Sequence, residues 1–240
     1  MKIATIHQPH FLPWLGYFNK LLNSDIFIVL DDVQFRRRYY QNRTDIISSN
    51  GIKIKQTVPL IYNKRSSLIK DIFIFEQNEW AKRFLKTITY SYKKSPFYND
   101  FFYVIEEAIL NNKNSSLLSL NMRLLQSILR YLDYDIEIVY SSNIKTSNEP
   151  TEKLIDLCKA TNSNGYIFGE GNGLNYHNLN LFMKNGIIII KQKFLANHPQ
   201  YNQRISNFVP GISIIDILFN VDPEISKELI LSAWNLNNKI

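Results

Sequence analysis

The 240-residue chain holds one cysteine, Cys158, and only eight glycines and eight prolines. A single cysteine excludes an intramolecular disulfide and a cysteine-cluster metal site, and it fits a reducing compartment. So few glycines and prolines exclude collagen-like and low-complexity architectures. No apolar run approaches the ~20 residues that span a bilayer. The amino terminus enters a strand pattern directly, without the charged and then apolar regions of a signal peptide. These absences predict a cytoplasmic protein with no membrane insertion. A Walker-type phosphate loop, an obvious coenzyme A signature, a Ser-His-Asp pattern and close-spaced metal ligands are missing too. The sequence therefore predicts no metal and leaves the cofactor unidentified.

Hydrophobic residues make up 45% of the chain, which supports a full core. The length suits one large α/β domain or two small ones; one domain over residues 1–240 is adopted, with a mainly helical subregion at about 78–133. The net charge of +7 suits phosphate-bearing partners such as nucleotide sugars, nucleic acid or anionic lipid, or equally a Lys-rich solvated surface.

The stretch from Lys2 to Phe35 organises the rest. Ile3, Ala4 and Ile6 form an apolar run, and His7, Gln8, Pro9 and His10 follow it. Trp14, Leu15, Tyr17, Phe18, Leu21 and Leu22 recur at helical spacing. Ile26–Leu30 is continuously apolar, as in a strand covered on both faces. Strand, crossover helix and strand make a right-handed parallel βαβ unit, so the expected fold class is α/β with a parallel-sheet, Rossmann-like core. Ligands of such sheets bind beyond the carboxyl ends of the strands. His7–His10 and Asp31–Gln34 are expected to meet at that edge. Arg36–Arg43, which interleaves basic and aromatic residues, leaves the same edge. Its guanidinium groups could grip phosphates while a tyrosine stacks a base or sugar; the alternative is a solvated loop.

Further on, Gly51 marks a turn, and Ile52, Ile54, Gln56 and Val58 alternate as in a half-buried strand ended by Pro59. Leu68–Phe75 reads as another strand, pairing with the first across a hairpin-like insertion at 61–67. Trp80, Phe84 and Ile88 begin three helical stripes. The second starts at Ser95-Pro96, and the third runs from Leu117 to Leu132; all three are packing faces. Alternation then returns with strands at Ile136–Tyr140, Tyr166–Phe168 and Ile187–Ile190. Helices are expected over Thr151–Thr161, with Thr151 as N-cap, and over Asn178–Asn185, stopped by Gly186. Cys158 lies on the apolar face of the first of these and reads as a core residue rather than a nucleophile. Ser213 and Asp216 read as a capping-box start. Asp222-Pro223 opens the last helix.

Taken together, these residues resemble the WbqC-like proteins, encoded among genes for bacterial O-antigen and related surface glycans. The matching segments include Ile6-His-Gln-Pro, Leu12-Pro-Trp-Leu-Gly-Tyr-Phe, Leu30-Asp-Asp-Val-Gln-Phe and Gln41-Asn-Arg. Thr57-Val-Pro, Tyr92-Lys-Lys-Ser-Pro-Phe, Ile155-Asp-Leu-Cys-Lys, Tyr201-Asn-Gln and Ser213-Ile-Ile-Asp-Ile-Leu-Phe-Asn follow in order. The resemblance implies a transferase in lipopolysaccharide decoration, including addition of amino acids such as glycine to amino sugars. Two places depart from the pattern: His10 follows His-Gln-Pro, and Phe168-Gly-Glu-Gly-Asn-Gly replaces a Ser-Gly loop. A weaker similarity is to nucleotidylyltransferase-like folds, in which a His-x-Gly-His turn binds ATP phosphates. Here Pro9 stands where that Gly would be and blocks close backbone approach.

The chemistry expected of the site follows from side-chain type. His7 is a general base near neutral pH, oriented by one carboxylate. Neighbouring strand residues face opposite ways, so only one of Asp31 and Asp32 serves, and Asp32 is chosen. His198 is the third catalytic candidate. Arg43 could hold a diphosphate bidentately. Gln8, His10, Tyr17, Asp31, Gln34, Asn42, Gly169, Tyr201 and Gln203 complete the substrate-binding set. Three functions stay open. The first is amide formation on a nucleotide-linked amino sugar from an ATP-activated, acyl-carrier or aminoacyl-tRNA donor. The second is nucleotidyl transfer with ATP. The third is non-catalytic binding of glycan precursors or RNA.

Overall fold

The run Ile26–Val29 is buried at every position, which only a strand covered on both faces can satisfy. A computed structural model describes residues 1–61, 64, 66–170 and 176–234. It places this run, β2, inside a five-stranded parallel sheet. The other strands are β1 (Ile3–His7), β5 (Glu137–Tyr140), β6 (Gly165–Phe168) and β7 (Ile188–Lys191), in the order β5-β2-β1-β6-β7. Ala4 lies opposite Ile26 on one side and Tyr166 on the other. Numbered among themselves, the sheet strands run 3-2-1-4-5, the Rossmann-like order, which reverses direction between β1 and β6. The crevice beyond the carboxyl ends of β1 and β6 is thus the topological switch point.

Strand alternation divides the core in two. Ala4, Ile6, Ile26, Ile28, Tyr166 and Ile189 pack under α5 (Pro150–Ala160) and α6 (Leu179–Lys184). Phe27 and Val29 face the larger layer. That layer holds α1 (Leu15–Leu22), α2 (Gln77–Tyr92), α3 (Tyr98–Leu110), α4 (Leu117–Tyr131), α7 (Ile215–Asn220) and α8 (Pro223–Ser232). All eight residues of α1 are buried. Among the described residues no helix is long and apolar enough to cross a membrane. Cys158 is fully buried under the sheet, and burial pushes its thiol up to about 12.

Several local expectations change. The strand over 53–57, β4, pairs not with Leu68–Phe75 but antiparallel with β3 (Arg43–Ile47), around a turn in which Gly51 has φ +80°. β3, beyond the Arg36–Arg43 loop, draws no strand expectation: its buried side, Thr44 and Ile46, alternates with charged residues tied across the hairpin. Lys53 and Lys55 both bind Asp45. Leu68–Phe75 instead contains a 3-10 turn, Ile69–Asp71, and lies across the amino end of α4. Ile72 and Ile74 point inward while Phe73 and Phe75 stay exposed. The expected hairpin-like pairing survives only as an isolated antiparallel bridge, Leu60 with Ile74, closed by the Ile61 amide on the Phe73 carbonyl and the Phe75 amide on the Pro59 carbonyl. Residues 62, 63 and 65 of the 61–67 insertion lie outside the described residues.

Thr151 does not cap α5: Pro150 is the first helical residue, Glu149 precedes it, and the Thr151 hydroxyl meets His177 Nδ1 and the Asn178 amide, each at 3.3 Å. The Ser213–Asp216 capping box is absent too. Ser213 donates to the Leu12 carbonyl at 2.9 Å, and α7 begins after Ile214. Asp222 does cap α8, accepting from the Glu224 and Ile225 amides.

Asp216 is fully buried and serves as a packing node. Its two oxygens accept from Tyr92 at 3.0 Å and Tyr201 at 2.9 Å, joining α7 to α2 and to the loop after β7. Burial raises its carboxyl to about 6, against the two tyrosine donors. Because the folded value exceeds the unfolded one, the native state binds more protons between about pH 4 and 6. This group's stabilising contribution is complete at low pH and is lost as pH rises through 6. Tyr92→Phe removes one donor and is expected to cost about 1–3 kcal/mol at pH 7. The cost shrinks at pH 5, where the protonated carboxyl needs fewer donors. Urea denaturation at the two pH values checks this; an equal loss at both would separate Tyr92 from the carboxylate.

Candidate functional site

A helix buried on all sides must satisfy each of its polar side chains. In α1, Asn19 succeeds: it donates to the Ile230 carbonyl at 2.7 Å and accepts from Gln192 at 2.8 Å. Lys20, only 5% exposed, has no carboxylate partner among the described residues. Its carbonyl accepts from Thr5 halfway along β1. Helical side chains lean toward the helix amino terminus, so the lysine stem climbs to the sheet's carboxyl edge. There Nζ lies 3.4 Å from where a Cβ on Gly169 would sit, just past the end of β6.

Three ring systems close over the same place. The His7 ring lies 4.6 Å from those of His10 and Tyr17, both edge-on. The Tyr17 hydroxyl donates to the Gln8 carbonyl at 3.2 Å, and His7 Nδ1 is 2.9 Å from that same oxygen. The second loop is stitched on: Gln41 donates to Gln8 Oε1 at 2.8 Å, and Phe11 to the Tyr40 carbonyl. Asn121 of α4 donates to both Pro9 and Gln41 carbonyls. Tyr39 and Tyr40 flank His10 at 5.6 and 5.7 Å. His10 is 6% exposed, yet neither ring nitrogen has a hydrogen-bond partner. Orphaned buried polar atoms cost free energy unless a ligand or other group completes them.

The electrostatics follow from burial. Desolvation is the largest cause at His7, helped by the charges of Lys20 and His10 and opposed by the Gln8 carbonyl; it holds the imidazole well below its ordinary value. Burial, then Lys20, lowers His10 to about 3. Burial alone lowers Lys20 to about 7. Three bases therefore sit at the switch point, all held toward their neutral forms.

The remaining expected site residues are distributed elsewhere. β2 ends at Val29, so strand alternation does not govern Asp31 and Asp32. Both carboxylates accept from Ser141 beyond β5; Asp31 also takes the Ser142 amide and hydroxyl. Asp32 pairs with Lys153 at 2.6 Å rather than with His7. Burial opposes the ionised form of Asp32, but Lys153 and Ser141 overcome it and hold the carboxyl below its usual value. His198 has Nδ1 2.9 Å from the Pro199 carbonyl, accepts from the Gly211 amide at Nε2, and is flanked by Phe194 and Phe208. Tyr201 and Gln203 join the Asp216 cluster. Among the described residues no three His, Cys, Asp or Glu side chains converge as metal ligands.

Gln34, Asn42 and Arg43 line a cleft of about 1070 Å³ between the 34–39 loop and the β3–β4 hairpin. It adjoins the imidazole cluster through Tyr39. Gly169 is placed beside Lys20, whereas Gly171–Gly173 of its loop lie outside the described residues.

Lys20 escaped the sequence reading. Its signal was a single lysine in a helix whose other residues are nearly all apolar, which leaves no dry-side and wet-side choice. Gln41, fully buried, was likewise unmarked because its role depends on Gln8, 33 residues away.

Lys20 makes stability pH-dependent in a stated direction. Its folded value, about 7, is below the unfolded 10.5, so the unfolded chain binds more protons between those values. Wild-type stability should rise with pH across pH 7–10. Lys20→Met should be more stable at pH 7 by on the order of 3 kcal/mol and lose that slope. Guanidinium denaturation across this range checks it; a destabilised Lys20→Met with the slope retained would mean the ammonium is compensated.

The sequence profile of the WbqC-like protein family matches residues 8–228. The chain is also 28% identical over 225 residues to the uncharacterized protein Rv1507c of Mycobacterium tuberculosis (strain ATCC 25618 / H37Rv), covering 93% of this chain and 96% of that protein. No solved structure matches. The family match begins one residue after His7 and takes in His10, Lys20 and the Asp216 cluster, and the chain belongs to the WbqC-like protein family.

Proposed function

We propose that the protein is a transferase of bacterial surface-glycan biosynthesis that forms an amide on an amino sugar. The observation that carries this reading is the meeting of His7, His10 and Lys20 at the switch point, buried and biased to their neutral forms. Amide formation needs that bias. The sugar amine attacks the acyl carbonyl carbon, a C–N bond forms, and the amine must give up a proton. The donor's leaving group then departs with its bonding pair. A neutral His7 at the strand end can take the proton, while Lys20, which shares the site, can donate toward the carbonyl oxygen or the leaving group. The unmet nitrogens of His10 leave hydrogen-bonding capacity for the substrate. Asp32 and His198, expected as catalytic partners of His7, are bonded to other groups. In this reading Asp32 joins the loops after β2 and β5 through Ser141, while His198 orders the loop after β7.

The test is amide formation read by mass spectrometry. The full chain is incubated with nucleotide-linked 4-amino-sugars and, separately, acetyl coenzyme A, glycine with ATP, or glycyl-tRNA. One mixture should yield a sugar heavier by the acyl group less one hydrogen. His7→Gln should lower that rate about 10²–10⁴-fold without shifting the melting temperature. Transfer at the wild-type rate in His7→Gln removes His7 from the mechanism. No transfer in any mixture, together with tight RNA binding, overturns the reading in favour of a binding protein.

A further inference from the structure

The cleft beside the imidazole cluster has a different character. Arg36, Arg37, Arg38, Arg43 and Lys64 bring five cations to its walls, and no Asp or Glu lines it. Arg36, Arg38 and Arg43 have no ion-pair partner among the described residues. These three like charges, brought together without an ion-pair partner, repel one another, and an anionic ligand relieves this.

Two further observations point inward. Asn42 is 7% exposed and spends its amide on the Val58 carbonyl at 2.9 Å, but its Oδ1 is buried and accepts nothing. Next to it, Arg43 Nε is buried and donates to nothing. The two line the same cleft, one an unmet acceptor and one an unmet donor. Beside them, held to Asn42 by two hydrogen bonds at Val58, the stretch Val58, Pro59 and Leu60 gives the wall an apolar part. Tyr39 stands between the cleft and the catalytic cluster: the Arg36 guanidinium is 5.9 Å from its ring centroid on one side, and the His10 ring is 5.6 Å away on the other.

We infer that this cleft binds the nucleoside diphosphate part of the acceptor. The pyrophosphate lies against Arg43 and the 36–38 arginines, a sugar hydroxyl donates to Asn42 Oδ1, and the base rests on the apolar wall. The volume, about 1070 Å³, is at the upper end of small-ligand sites, as a nucleotide sugar requires. This inference rests on the transferase reading for its geometry: the diphosphate end is held at the arginines, and the linked amino sugar passes Tyr39 to reach His10 and His7. A single-stranded RNA would use the same cations, but a cleft that sets an unmet acceptor beside an unmet donor suits one bound diphosphate better than a continuous backbone track.

Isothermal titration of the full chain with ADP, CDP, GDP, UDP and dTDP, each against its nucleoside, tests the assignment. At least one diphosphate should bind about tenfold or more tightly than its nucleoside, and inorganic pyrophosphate should compete with it. Arg43→Gln should weaken that binding about tenfold or more. Arg36→Gln, on an exposed loop position with no fold role, should weaken it several-fold, which covers the case in which Arg43→Gln fails to fold. His7→Gln should leave the binding unchanged. The assignment is overturned if no diphosphate outbinds its nucleoside, if both arginine variants that fold bind like wild type, or if a U20 RNA binds and no diphosphate displaces it. Diphosphate binding without any transfer sinks the transferase reading and leaves the site. His7-dependent transfer with no diphosphate binding sinks the site and leaves the transferase.

Discussion

The pairing of β1 with β2 on one side and β6 on the other leaves α1 wedged between the sheet and a layer of helices, with every residue out of water. That burial is what the rest of the molecule accommodates. The apolar residues of α1 supply much of the larger core. Its asparagine is matched by Gln192, just past the end of β7, and by a carbonyl of α8. Its lysine has no carboxylate partner among the described residues, and its stem runs to the edge where His7 and Gly169 stand. A buried cation without a partner is expensive to retain, and its retention at the switch point is the strongest physical pointer to chemistry in the fold.

Two titrating centres with opposite pH behaviour result. At the switch point, burial disfavours the charged forms of two imidazoles and an ammonium, so this centre grows more favourable as pH rises. Around Asp216, burial disfavours a carboxylate, and the tyrosine donors only partly offset it, so that centre grows less favourable as pH rises through 6. The second joins α2, α7 and the loop after β7. It explains why Tyr201 and Gln203, polar residues in an irregular segment, are structural: they complete a buried carboxylate. The arginine cleft is a third region, linked to the first through one tyrosine ring. In the proposed reaction, positive charge in the cleft holds the anion and the neutral bases at the sheet edge move the proton.

The sequence by itself determined the parallel α/β core, because continuous β-branched runs between helical stripes permit little else. It also placed an imidazole loop at the carboxyl end of β1 and a basic, aromatic loop beyond β2. These are local properties: side-chain period, strand length and the residue types at an element's end. What it could not determine were partners across the fold. The two aspartates after β2 looked free and are spoken for by Ser141, Ser142 and Lys153, more than 100 residues away. The Ser213–Asp216 spacing looked like a cap and is a tertiary node. Arg43–Ile47 drew no strand expectation because charge alternation on the hairpin hides it. Which polar side chain is satisfied and which is left wanting depends on neighbours brought in by β2–β5 and β1–β6 pairing. Only the tertiary structure therefore decided that Lys20, rather than Asp32, stands beside His7.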